Sequence, residues 1–64
     1  MDKEIILDNL KDIRDIRFAC WNSYKQDAIE NPQSGWRRDL AESADMNVRV
    51  LDYVMEAIRK NDIV

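Results

Sequence analysis

The side chains able to do chemistry in this sequence are few, and their spacing argues against catalysis. None of the 64 residues is a histidine, which removes the commonest acid–base group and metal ligand. The single cysteine, Cys20, sits among Phe18, Ala19 and Trp21, a setting that suits a small buried apolar residue better than a reactive thiol. Asp12 and Asp15 share a helix face, yet paired surface carboxylates without an apolar pocket rarely catalyse. Gly35 is the only glycine, so no glycine-rich loop can cradle a phosphate. Carboxylates do not cluster at ligand spacing around a loop, as zinc or calcium would require. No enzyme activity, cofactor or metal is expected, which leaves recognition as the chemistry to look for. Arg37 and Arg38, adjacent and beside Trp36, suit either a charged partner or plain solvation.

Size and composition set the frame for whatever holds these residues. A chain this short makes one domain, and such domains bury only about 60% of the surface their unfolded chain exposes, so a dimer partner would help. Hydrophobic residues make up 45% of the sequence, too many for a disordered chain and enough for one small core. Ten basic residues face thirteen acidic ones, a net charge of -3, unlike the basic footprint of a nonspecific nucleic-acid binder. With one cysteine and no apolar run of membrane-spanning or signal-peptide length, the expectation is a cytoplasmic protein without a membrane partner.

The elements follow from periodicity and breakers. Lys3 to Glu30 contains no Gly or Pro, and Ile6, Leu10, Ile13, Ile16, Cys20 and Tyr24 recur at steps of three or four, as one stripe of a helix does. Asp2 and Glu4 suit its positive end. Ile5, Leu7, Phe18, Trp21 and Ala28 fall off that stripe. They are expected either to meet a partner, most simply a second subunit, or to wrap the core if the helix bends near Arg17 and Phe18. Asn31-Pro32-Gln33-Ser34-Gly35 is the one breaker-rich stretch, so a helix over about 3–30 stops there, and Ser34 can cap a second over about 35–44, with Trp36 as its first apolar anchor. Beyond Asp45-Met46-Asn47, the residues Val48, Leu51, Val54 or Met55, and Ile58 share the face of a third helix over about 47–60. Asn47 is its expected cap, and Arg59 and Lys60 suit its negative end.

Leu40, Ala41, Ala44, Asp45, Met46 and Asn47 together resemble the supporting helix and turn of helix-turn-helix DNA-binding domains. In that family an apolar residue followed by Ala, then a small residue three positions later, leads into a turn of Gly, an aliphatic residue and a polar cap. Leu51, Val54 and Ile58 fall where the recognition helix faces inward. The run from Arg59 to Val64 is similar to a winged-helix recognition helix entering its first strand. Asp45 departs from the usual Gly, a residue type that can also visit the left-handed conformation, and the sequence stops before a wing hairpin. The resemblance implies an all-α, three-helix, helix-turn-helix-like bundle lacking a complete wing, spanning residues 1–64 as one domain.

It also implies a function: a small, dimeric, DNA-binding transcriptional regulator whose third helix enters the major groove. Asn47, Arg49, Val50 and Tyr53 would then face the bases, where Asn can bond adenine, Arg guanine and Val a thymine methyl. Arg37 and Arg38 would flank the backbone. Asp52 and Glu56 share the outward face, however, and the stretch from Asn31 onward holds five basic and six acidic residues, net -1, so its pull on phosphate is weak. Val50, Tyr53 and Ala57 form an apolar stripe that a protein could bury more readily than a groove could. The alternative expectation is therefore a protein-binding module or small inhibitor that offers an acidic, partly apolar helix face and binds no DNA.

Overall fold

The computed structural model describes residues 2–61, of which Asn61 is described by its backbone alone. Within them the chain forms two α-helices and no strand: α1, Lys3–Glu30, and α2, Gly35–Asn61. Asp2 caps α1, its extended backbone letting the side chain accept a hydrogen bond from the Glu4 amide at 2.9 Å. At the other end Asn31 supplies what the helix can no longer supply for itself. Its backbone N–H donates to the Asp27 carbonyl at 3.0 Å, and its side-chain amide donates to the same carbonyl at 3.0 Å and to the Asp27 carboxylate at 3.1 Å. Pro32 then disfavours helical backbone at Asn31 and has no N–H to continue the ladder. The Ser34 amide reaches back to the Asn31 carbonyl at 3.0 Å, closing a short connection of the kind that joins antiparallel helices.

The expected second and third helices, about 35–44 and 47–60, are one helix, and α1 runs unbroken through Arg17 and Phe18. The three-helix bundle is therefore corrected to a two-helix hairpin. The reason lies in phase. Arg37, Ala41, Ala44, Val48, Leu51, Met55 and Ile58 recur at alternating steps of four and three, with no phase jump across Asp45-Met46-Asn47. Five of them are buried, at 8% exposure or less, and the other two are half-buried. No Gly or Pro interrupts the segment, and Asp45 pairs with Arg49 one turn later at 3.1 Å, so Asp45 acts as an ordinary mid-helix residue. The wing-strand residues Ile63 and Val64 lie outside the described residues.

The stripe read from α1 is also rotated. Leu7 is buried with Met55 and Ile58, and Ile6 and Leu10 pack at the edge of that cluster. Arg14, Trp21 and Ala28 continue the line half-buried. By contrast Ile13 and Ile16 are 46% and 63% exposed. A single neighbouring helix covers only a narrow seam with a repeat near 3.5, so the wider apolar surface of α1 cannot all be covered. The seam tapers from Leu7, Met55 and Ile58 at the open end to Ala28, Ala41 and Ala44 near the turn. At the open end the Lys3 ammonium donates to the Arg59 carbonyl at 3.5 Å, where a cation suits the negative end of α2.

Two helices bury little. The chain exposes 4814 Å² for 7.6 kDa, whereas a compact monomer of that mass exposes roughly 4300 Å². Among the described residues no helix is long and apolar enough to cross a membrane.

Candidate functional site

The seam of α2 divides the rest of that helix into two unlike sides. The residues directly before each seam position are Trp36, Leu40, Ser43, Asn47, Val50, Val54 and Ala57, and none is charged. Those directly after are Arg38, Glu42, Asp45, Arg49, Asp52, Glu56 and Arg59, and every one is charged. Successive residues are separated by about 100° around a helix of 3.6 residues per turn, so the two rows lie on opposite flanks of the seam. The rule repeats in the first half of α1. Ile6, Asn9 and Ile13 precede Leu7, Leu10 and Arg14, while Asp8, Lys11 and Asp15 follow them.

In the antiparallel hairpin the like flanks fall together. Arg17, Cys20 and Tyr24 of α1 line one shallow groove with Leu40, Ser43 and Asn47 of α2. Trp21, Lys25 and Ile29 line the groove on the opposite side with Arg38, Glu42 and Asp45. The molecule is thus a plate whose two broad sides differ chiefly along α2 and the first half of α1, one poor in charge and the other lined with charge, while toward the turn the charged side also carries Trp21, Ile29 and Pro32. On the uncharged face Ile13, Leu40, Val50 and Val54 stand 37% to 50% exposed. Arg17 and Asp27, the latter directly before Ala28, are charges that interrupt its α1 row.

Several charges of the charged face pair with one another. Arg14 reaches across to Asp52, with Nε 3.0 Å from Oδ1 and Nη2 3.5 Å from Oδ2, a two-point pairing that matches the guanidinium fork to the carboxylate. The hydrogen bond that Arg14 donates to Asp52 is the main reason that the Arg14 pKa lies above the ordinary arginine value. The Phe18 ring lies 4.9 Å from the Arg14 guanidinium carbon and 5.5 Å from the Trp21 ring, and the Lys25 ammonium sits 4.3 Å from the Trp21 ring centre. Lys11 pairs with Asp15 at 3.0 Å, and its hydrogen bond is the first cause of the lowered Asp15 pKa. Glu56 pairs with Lys60 at 3.3 Å.

The residues expected to read DNA are dispersed. Arg37 lies on the seam, its Nε 3.0 Å from the Asp27 carboxylate, but that N–H is buried and not aimed for a hydrogen bond to any acceptor. Its Nη1 donates to Ser34 Oγ at 2.9 Å, and its guanidinium lies 4.6 Å from the ring of Trp36, which is 60% exposed and anchors nothing in the core. Arg38 and Arg49 occupy the charged flank beside Glu42 and Asp45. Asn47 and Val50 belong to the uncharged flank, and Tyr53, 76% exposed, stands on the back of α2.

Of the residues expected to meet a partner, Ile5 is 57% exposed, whereas Leu7 is in the core and unavailable. Phe18 and Trp21 are engaged with Arg14 and Lys25 on the charged side. Sequence reasoning left Ile6, Ile13 and Leu40 outside its site residues. The signal that finds them is the uncharged position before each seam residue. Among the described residues, no group of three or more His, Cys, Asp or Glu side chains could hold a metal ion.

No protein-family model matches the chain, and neither a curated protein nor a solved structure is detectably similar to it.

Proposed function

We propose that this chain is a helical protein-interaction module that binds through its uncharged broad face. The observation that carries the reading is the partition on α2, where every residue after a seam position is charged and every residue before one is not. A face that meets only water gains nothing from excluding charge, whereas depletion of charge marks the buried centre of protein interfaces. The residue types support a protein over a nucleic acid. DNA affinity rests on cations aimed at phosphate, and here Arg38 and Arg49 share their flank with Glu42, Asp45, Asp52 and Glu56.

The test places a photo-reactive benzophenone amino acid at Val50 or, as control, at Arg49, in the cell that makes the protein. Protein adducts from position 50 and few from position 49 are expected. The reading fails if position 50 yields no protein adduct, or if the purified chain binds duplex DNA at low salt and Arg49→Ala abolishes that binding while helicity is kept. The latter result would favour the helix-turn-helix reading.

A further inference from the structure

We infer that the partner of the uncharged face is a second copy of this chain, the two hairpins stacking face to face into a four-helix bundle. The inference rests on the protein-binding reading above and specifies its partner. Three observations point to self-association. The first is area. The broad side of the plate measures 46 × 16 Å, roughly 700 Å², close to the about 800 Å² that each partner buries in a standard stable interface. One hairpin laid on another matches that outline along its whole length, as an isologous dimer requires.

The second observation is the rotated stripe of α1. Ile13, Cys20 and Tyr24 lie at steps of seven and four along one line of the helix, which Ile6 continues at the edge of the core and Asp27 ends near the turn, and α2 chiefly covers a different line. In a four-helix bundle each helix contacts two neighbours, and each needs two adjoining apolar rows. Both helices have that second row, and on both it adjoins the first on the same side of the hairpin. The third is the excess exposed surface of the lone hairpin, which stacking on a like surface would remove from both copies at once.

Ser43 and Asn47 fit this arrangement as neutral hydrogen-bonding residues, whereas Arg17 has to carry its guanidinium out to the rim on its long apolar stem. Arg17, Ser43 and Asn47 lie together near the middle of the face, with Ile13, Val50 and Val54 toward one end and Tyr24, Leu40 and Trp36 toward the other. A polar centre between apolar ends can fix one register among those the apolar rows alone would allow.

Sedimentation equilibrium of the purified chain tests this directly. A mass of twice 7.6 kDa is expected, with the dimer persisting to ~10 µM, and Tm rising with protein concentration as mass action requires. Ile13→Glu and Val50→Glu each bury an unpaired charge in the proposed interface and should weaken association about a hundredfold. Arg49→Gln on the opposite face should leave it unchanged. Should a Glu variant unfold, the wild-type Tm series still decides, because a monomer melts at one temperature at every concentration. A wild-type monomer at ~100 µM overturns the inference, as does a dimer that tolerates both Glu variants at unchanged affinity. If the chain is monomeric yet position 50 still crosslinks to another protein in cells, the second copy is refuted and the protein-binding reading stands. If neither is seen, both fall.

Discussion

Replacing Met46 with proline tests the continuity of α2 with little interference from packing, because the Met46 side chain is 59% exposed and contributes little to the core. In an unbroken helix, proline at this position removes the hydrogen bond to the carbonyl four residues earlier and drives its ring into that turn, a cost of ~3 kcal/mol or more. Folded domains are stable by about 0.05–0.15 kcal/mol per residue, which over 64 residues is roughly 3–10 kcal/mol. The substitution should therefore remove between a third and all of the stability, shifting the folding equilibrium by about a hundredfold or more. Met46→Ala separates side chain from backbone and should change stability by less than ~0.5 kcal/mol, since the position is exposed. Asp45→Gly adds a test of opposite sign. Inside a helix it should cost about 0.3–0.8 kcal/mol, a few tenths from propensity and the rest from the lost Arg49 pair, whereas at a helix-turn-helix turn Gly should be neutral or stabilising. The assay is urea unfolding followed by helical circular dichroism. A Met46→Pro variant within ~0.5 kcal/mol of wild type, or an Asp45→Gly variant more stable than wild type, would refute a continuous α2.

Other substitutions probe the seam and its ends. Met55→Ala removes a side chain that is 5% exposed from the Leu7–Ile58 cluster and should cost about 2–5 kcal/mol by thermal or urea unfolding. Gly35→Ala should stabilise by about 0.5–1 kcal/mol, because a Cβ at Gly35 would meet nothing within 4 Å and the unfolded chain loses freedom. Arg14→Lys keeps the charge but loses the two-point pairing with Asp52; a small drop in Tm that shrinks in high salt is expected, since both side chains are part-exposed. Asp15 has a folded pKa below its ordinary 3.8, chiefly through the hydrogen bond from Lys11. Its contribution is therefore fully present above 3.8 and is lost as pH falls through the lowered folded value. Comparing the acid limb of the melting curve with that of Asp15→Asn should reveal a shallower slope in the variant.

The all-helical class and the place where the chain turns were legible, because Asn31 to Gly35 holds the only Pro and the only Gly and periodicity runs strongly on either side. The join between Ala44 and Val48 was harder to read. Leu40, Ala41, Ala44, Met46, Leu51 and Ile58 satisfy the spacing of two helices around a turn and the spacing of one long helix equally well, because both place small or apolar residues at steps of three and four. What separates them is phase. The row from Arg37 to Ile58 never slips, and a turn would have to reset it. On α1 the difficulty was different. Ile6, Leu10, Ile13, Ile16, Cys20 and Tyr24 form the more regular stripe, but Leu7, Leu10, Arg14 and Trp21 face α2, so that the two rows share Leu10. Nothing in one helix says which of two apolar rows its neighbour takes, so the face left open follows only once α2 is placed.

The unequal broad sides of the plate also limit how far such molecules could aggregate. A sheet-like particle with two sticky sides can stack without end, adding copies until it forms a fibre. Here the second side is lined with Arg38, Glu42, Asp45, Arg49, Asp52 and Glu56, whose hydration would be lost on stacking. Pairing through the bare side would use up the surface poorest in charge among the described residues and leave exteriors of like net charge, each copy contributing -3, to repel further arrivals. Growth that begins through the bare side would stop at a closed particle, so the residue that follows each seam position of α2 would set the limit to stacking.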